Sequence, residues 1–205
     1  LAIVDENGNM FGEEYTLVAV ADYILGNKSG NTVSNLSSTR ALADVTAKFG
    51  TTYFAAAVGE VNVVEKMKAV GAVIGGEGNG GIIYPELHYG RDALVGIALF
   101  LSHLAKSEKK CSELRQTYPA YFMSKNKLNL TPETNVDQIL ASIAADFANE
   151  KVTTIDGVKI DFTEGWVHLR KSNTEPIMRV YSEGKSPEAA QELANKLLDW
   201  MKKSV

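Results

Sequence analysis

The most constraining feature of this chain is a change of rhythm part-way along it. Over roughly the first hundred residues, short β-branched or apolar runs alternate with segments of helical period. Residues 13–25 read as a mostly apolar helix ended by Gly26, 31–36 as a short strand, and a helix opening at Ser38 or Thr39 carries Leu42, Val45 and Phe49 up to Gly50. Residues 51–58 then read as a strand, 62–70 as a helix with Val63, Val64, Met67 and Val70 turned inward, "AVIGG" as a buried strand, and 92–106 as a strongly apolar helix. Strands and helices alternating at these lengths build βαβ units and a mainly parallel sheet. Beyond about residue 125 the order changes. An amphipathic helix, "NVDQILASIAADFANE", precedes a run of strands: "KVTTI" and "VKIDF" joined at Asp156-Gly157 as a primed-turn hairpin, then "WVHLRKS" and "IMRVYSE". A closing helix follows, with Ser186 as N-cap, Pro187 at its first position and lysines in its last turn. The expected fold is α/β: a mainly parallel α/β/α sheet domain, then a smaller α+β domain with an antiparallel sheet and helices. The polar stretch containing Tyr118-Pro119 marks the join.

Composition narrows the function classes. The 205 residues carry a net charge of -4, which argues against wholesale binding of nucleic acid or an anionic membrane. No apolar run reaches the ~20 residues a membrane helix needs. One cysteine, Cys111, and three scattered histidines argue against a disulfide framework and a Cys/His zinc site, so a cytoplasmic setting is expected.

Two polar clusters carry the chemistry. The first is "GGEGNGG", residues 75–81. Gly76, Gly78 and Gly81 satisfy the spacing of a dinucleotide loop, but that loop must open a helix, and here "IIYPE" follows, with Pro85 biasing Tyr84 toward extended backbone. Glu77 would also repel a pyrophosphate. A carboxylate can instead accept hydrogen bonds from two vicinal sugar hydroxyls, with Asn79 donating and accepting beside it, while glycines let a ring approach the backbone. The residues are equally compatible with a tight turn at a strand end carrying a solvated glutamate.

The second cluster is "RKSNTEP", residues 170–176, between two expected strands. Arg170 offers a planar fork for two phosphate oxygens. Ser172 and Thr174 add hydroxyls, Asn173 an amide, and Arg179 a second charge. Ser-Asn-Thr before proline is also ordinary turn chemistry. Among the other polar residues, Glu60 reads as a helix-start carboxylate with a second reading as a proton acceptor, Ser38 as a cap, Asp92 as a structural residue of a first helical turn, and His103 as a core or boundary residue.

Taken together, these stretches resemble the α-D-phosphohexomutase family of phosphomannomutases, phosphoglucomutases and phosphoglucosamine mutases, in its C-terminal half. "GEGNGG" is similar to the family's sugar-recognition loop, usually Gly-Glu-x-Ser-Gly-His, and "RKSNTEP" to its distal phosphate loop. Asn79 stands where serine is usual, Gly81 where histidine is usual, and Glu60 where many members carry a histidine associated with proton transfer. Archaeal-type phosphoglucosamine mutases look similar to this chain at all three points.

The resemblance implies one half of a four-domain enzyme moving a phosphoryl group between C1 and C6 of a hexose through a bisphosphate. It implies sugar binding by Glu77 and Asn79, phosphate binding by Arg170, Ser172, Asn173, Thr174 and Arg179, and a catalytic role for Glu60. The phosphoserine and the Mg²⁺ loop would lie in the N-terminal domains of the same polypeptide, because neither motif is present here. On that reading residues 1–9 are an orphaned last strand of the preceding domain, prone to artefactual pairing with another copy. Residues 10–110 are then the sugar-recognition domain, 111–124 a linker and 125–205 the phosphate-binding domain. The expected ligand is a hexose phosphate, with no metal bound by this chain, no nucleic acid and no membrane. A stand-alone, non-catalytic phosphosugar-binding module is the alternative.

Overall fold

The computed structural model describes residues 1–131, 134–172 and 174–204. It divides into two compact units, Leu1–Ala120 and Tyr121–Val205.

The first unit runs α1 (Glu13–Asn27), β1 (Asn31–Asn35), α2 (Ala41–Lys48), β2 (Tyr53–Ala56), α3 (Glu60–Val70), β3 (Ala72–Glu77), β4 (Gly81–Ile83), α4 (Ala93–Ser107) and α5 (Cys111–Gln116). Its sheet has the order β2-β1-β3-β4. β1 pairs in parallel with β2 and β3, and β4 returns antiparallel to β3. Successive residues of a strand point to opposite faces. Val33 packs with Val63 and Met67 of α3, whereas the Thr32 hydroxyl lies 2.7 Å from that of Thr46 on α2. At the next strand Gly75 lies against Met67, and Gly76 against Leu17 of α1. Helices therefore cover both faces. α3 starts after Gly59 (φ 119°) and stops at Gly71 (φ 60°), whose N–H donates back to the carbonyls of Met67 and Lys68. α4 starts at Asp92, whose carboxylate accepts from the N–H groups of Leu94 (2.8 Å) and Val95 (3.1 Å).

Two expectations fail in this unit. Residues 1–9 form no strand, only an isolated bridge between Val4 and Met10. The Asp5 carboxylate takes the N–H groups of Asn7 and Asn9, both at 2.8 Å, and turns the chain back on itself before it can extend. The polar segment expected as a linker contains α5 and the first residues of the next strand. α5 forms because Glu113 caps the Lys110 N–H (2.8 Å), Leu114 is buried, and Arg115 stacks 3.2 Å over the Tyr15 ring while donating to the Phe11 carbonyl.

The second unit runs β5 (Phe122–Asn129), α6 (Val136–Asp146), β6 (Lys151–Thr153), β7 (Val158–Asp161), β8 (Trp166–Lys171), β9 (Ile177–Gly184) and α7 (Pro187–Ser204). The sheet order is β5-β9-β8-β7-β6, antiparallel throughout. Val158, Ile160, Val167, Leu169, Met178 and Val180 share one face and form the core with Ile143 of α6 and Leu193, Ala194 and Leu197 of α7. Ser186 caps α7, its hydroxyl accepting the Ala189 N–H at 3.1 Å. The β6–β7 connection is longer than the expected primed turn, because Thr153 pairs with Lys159. Gly157 keeps a positive φ of 62°, but Asp156 does not share it. The Asp156 carbonyl is instead taken by Nε2 of His168 at 2.7 Å.

Candidate functional site

In the first unit the glycine-rich segment forms a hairpin. Glu77 pairs with Gly81, and Gly78, Asn79 and Gly80 make the tip. Gly80 has φ 79°, and the Asn79 side-chain oxygen accepts the Gly81 N–H at 3.1 Å. A tip residue in the left-handed region is the usual device of a three-residue hairpin. Gly76 is required by close approach, since a Cβ there would stand 2.0 Å from the Gly81 carbonyl oxygen. The chain leaves this tip along β4, so the loop does not open a helix as a dinucleotide loop must. The dinucleotide reading is thereby excluded on geometry.

Glu77 is not a solvated turn residue. It is 7% exposed. Oε1 accepts from Nδ2 of Asn35 at 3.0 Å, and Oε2 from Nη1 of Arg91 at 3.2 Å. A buried carboxylate is tolerable because both oxygens meet donors, one of them charged. Asn35, at the end of β1, is oriented in turn by its side-chain oxygen, which accepts the Ser37 N–H (3.0 Å) and the Ser38 hydroxyl (3.1 Å). Arg91 is placed by an isolated bridge between Ile83 and Arg91, immediately before the Asp92 cap.

Glu60, at the start of α3, also meets Arg91. Its Oε1 accepts the Arg91 backbone N–H at 2.9 Å, and its Oε2 accepts Nε at 2.8 Å. These bonds hold the Glu60 carboxyl below the usual carboxylate range. Asn79, Gly80, Gly81, Arg91 and Asp92 line a cavity of about 350 Å³ at this end of the sheet. Asn79 is exposed at its rim, with its amide nitrogen available to a ligand.

In the second unit, Arg170 on β8 stands directly opposite Arg179 on β9, and Arg179 directly opposite Lys127 on β5. Directly opposed residues share a face, here the one away from the α6–α7 core, and like charges so placed repel. Arg179 is partly neutralised, donating from Nη2 to Glu175 and from Nη1 to the Tyr181 hydroxyl, both at 3.1 Å. The Nε of Arg170 is buried with no hydrogen-bond partner among the described residues. The Ser172 N–H is tied to the Ile177 carbonyl (2.9 Å), and its hydroxyl accepts the Thr174 N–H at 3.4 Å. Asn173, named from the sequence, lies outside the described residues.

On the same face, two residues before Arg170 on β8, His168 is 1% exposed, and burial together with neighbouring Lys159 and Arg170 brings its pKa down to about 4. It is neutral at pH 7 and adds no charge to the row. Among the described residues, no group of three His, Cys, Asp or Glu side chains could hold a metal ion. No helix there is long and apolar enough to cross a membrane.

The family model described as phosphoglucomutase/phosphomannomutase, alpha/beta/alpha domain III, matches residues 12–121, and the model for the C-terminal domain of the same family matches residues 127–199. The chain belongs to the phosphoglucomutase/phosphomannomutase family. It is 38% identical over 202 residues to a phosphoglucomutase/phosphomannomutase of Thermococcus kodakarensis, covering 96% of this chain and 44% of that protein. It is 35% identical over 167 residues to a phosphoglucosamine/phosphogalactosamine mutase of Sulfurisphaera tokodaii, covering 80% of this chain and 37% of that one. The fold matches a Burkholderia thailandensis phosphoglucomutase/phosphomannomutase family protein with a TM-score of 0.80 at 23% identity, over 98% of this chain and 44% of that one. The chain thus spans less than half the length of these relatives.

Within this chain of the phosphoglucomutase/phosphomannomutase family, each unit carries its own group of candidate residues. Glu60, Glu77 and Asn79 gather at one end of the first sheet, and Arg170, Ser172, Thr174 and Arg179 at one end of the β8–β9 pair. Sequence reasoning missed Arg91, Asn35 and Lys127. Arg91 sat in plain view beside Asp92, but its bonds to Glu60 and Glu77 depend on the Ile83 bridge, which no local pattern announces. Lys127 was signalled by the alternation of Lys125 and Lys127 along β5.

Proposed function

We propose that this chain is the C-terminal half of a cytoplasmic phosphosugar mutase that interconverts hexose 1-phosphate and hexose 6-phosphate through a bisphosphate. In this reading the first unit recognises the sugar and the second holds whichever phosphate is not reacting. Asn79 at the hairpin tip and Glu77 at its base would meet the ring. A carboxylate has about four lone-pair positions, and Asn35 and Arg91 use two, so two remain for adjacent hydroxyls. Arg170 and Arg179, with Ser172, Asn173 and Thr174 beside them, take the phosphate by charge-assisted hydrogen bonds. The chain's contribution is orientation and charge neutralisation, which are large terms in phosphoryl transfer.

The phosphoserine and its metal loop belong to other domains of the same polypeptide in this reading. Mg²⁺ would neutralise charge on the transferring group there, and the described residues of this chain do not fit a metal site.

The observation that carries the proposal is the pair Arg170–Arg179: two guanidinium groups brought into direct opposition, one with a buried Nε that has no hydrogen-bond partner among the described residues. Such a pair favours an anion between its members. Calorimetric titration of the 205-residue chain with glucose 6-phosphate tests it. Binding should weaken with added salt and fall at least about tenfold, roughly 1.4 kcal/mol, in Arg170→Ala. Affinity unchanged by that substitution would remove the phosphate assignment.

A further inference from the structure

One guanidinium holds two carboxylates of the sugar site. Arg91 reaches Glu77 through Nη1 (3.2 Å), and Glu60 through both Nε (2.8 Å) and its own backbone N–H (2.9 Å). Both Glu60 oxygens are therefore occupied by Arg91, whereas Glu77 gives Arg91 one oxygen and Asn35 the other. The stem of Arg91 also crosses the space that a side chain at residue 81 would fill: a Cβ on Gly81 would lie 2.7 Å from Arg91 Cδ and 3.0 Å from the Asn79 side-chain oxygen. Glycine at 81, the bridge at Ile83 and the carboxylate at 60 all converge on one placement of this side chain.

We infer that Arg91 is a positioning residue for Glu77, and that Glu60 acts through Arg91 by fixing it and not by accepting a proton from substrate. The inference rests on the proposed role of Glu77 in sugar recognition. A free glutamate side chain must give up rotamer freedom when it grips a ligand, and that cost weakens binding. Here Asn35 and Arg91 hold the two oxygens before any sugar arrives, so their remaining lone pairs keep a fixed aim at a pair of hydroxyls. Glu60 is poorly suited to general-base work. Its two oxygens already accept charge-assisted bonds, and its carboxyl titrates below the ordinary range, away from the near-neutral value a proton acceptor needs. A planar fork is required at position 91, because Nε and Nη1 must serve different carboxylates at once.

The test is an NMR titration of the 205-residue chain with methyl α-glucoside and methyl α-mannoside, which carry no phosphate, and separately with inorganic phosphate. In the unsubstituted chain the glycosides should shift the amides of residues 78–81, and phosphate those of Ser172 and Thr174. Arg91→Gln should weaken the glycoside response at least tenfold and leave the phosphate response unchanged. Arg91→Lys keeps the charge but lacks the fork. It should retain a native amide spectrum and lose binding to a similar extent, which guards against a loss caused by unfolding. Glu60→Gln should weaken glycoside binding in the same direction, and the double variant Glu60→Gln/Arg91→Gln should be no weaker than Arg91→Gln alone. Wild-type glycoside affinity in Arg91→Lys or Glu60→Gln, or additive losses in the double variant, would overturn the inference while leaving Glu77 in place. Absence of any glycoside response at residues 78–81 in the unsubstituted chain would instead remove the sugar assignment of Glu77, and this inference with it.

Discussion

Arg170 and Arg179 face each other across the β8–β9 ladder, residue for residue. Two like charges directly opposed on a sheet cost stability, and nothing in the packing of the core requires them, since the core lies on the other face. Their placement makes sense as a site held ready for an anion. It follows that stability and binding should respond in opposite directions when one of the pair is removed. At low salt and without ligand, Arg170→Met should leave the chain as stable or more stable, by up to about 1 kcal/mol. The same variant should lose the stabilisation that phosphate or glucose 6-phosphate gives the unsubstituted chain through mass action. Urea unfolding with and without phosphate checks both. A variant that is less stable than wild type in the absence of anion would show that the pair is structural.

The chain should not turn over substrate by itself. In the proposed function it supplies orientation and charge, while the phosphoserine lies in other domains of the same polypeptide. Incubation with hexose 1-phosphate, Mg²⁺ and a hexose bisphosphate should give no hexose 6-phosphate. Clear isomerisation would mean that the nucleophile lies within these 205 residues.

The hairpin tip should be intolerant of side chains at its base and tolerant of changes far from it. Gly76→Ala places a methyl group 2.0 Å from the Gly81 carbonyl oxygen, a backbone atom that cannot give way cheaply. A loss of roughly 1–3 kcal/mol is expected from overpacking of this kind. The sugar response should fall with it, because Glu77 and Gly81 are themselves a ladder pair. Denaturant midpoints and the glycoside titration measure the two effects together. A stable variant with intact sugar binding would mean that the close approach is not needed.

His168 should make stability fall in mild acid. Its folded-state pKa is brought down to about 4 by burial first, with Lys159 and Arg170 adding repulsion against the Asp156 bond that favours the proton. In the unfolded chain the imidazole titrates near 6.5. Between those values the unfolded state binds a proton and the folded state does not, so unfolding becomes easier as pH drops. This contribution is fully present above about 6.5 and declines by about 1.4 kcal/mol per pH unit toward 4. Comparing urea unfolding of wild type and His168→Gln from pH 7 to 4.5 isolates it, because other acidic groups titrate in both proteins. Parallel pH profiles would show that His168 does not titrate as its burial demands.

The elements whose formation depends on local chemistry were legible in the sequence. Residues 62–70 fall within α3, the apolar run from Asp92 forms α4, Ser186 and Pro187 begin α7, and the β-branched Ile82 and Ile83 before Pro85 turned the glycine loop away from a helix and toward a strand. Misreadings arose where a distant partner decides the outcome. α5 is short and polar and owes its existence to contacts with Tyr15 and Phe11, some hundred residues earlier. Asp156-Gly157 looked like a two-residue turn until His168, on another strand, claimed the Asp156 carbonyl. The site shows the same division. Glu77 and Arg170 stood out as candidates from residue chemistry and motif. The guanidinium that grips Glu77 was not, because its reach is set by a bridge and not by spacing.

That bridge has a practical corollary. Residues 84–90 leave β4 and return to it between Ile83 and Arg91, where the Ile83–Arg91 contact and the Asp92 N–H bond to the Ile82 carbonyl (2.9 Å) cinch the excursion at its neck. Most of what lies beyond the neck is solvent-facing, Leu87 being 60% exposed. Surface excursions closed at the base accept foreign sequence more readily than the ladder beneath them. A reporter peptide spliced in at Leu87 would therefore ride outside the neck while the carboxylate clamp below stays in register, giving a handle for immobilising or labelling this chain close to the Glu77–Arg91 pair.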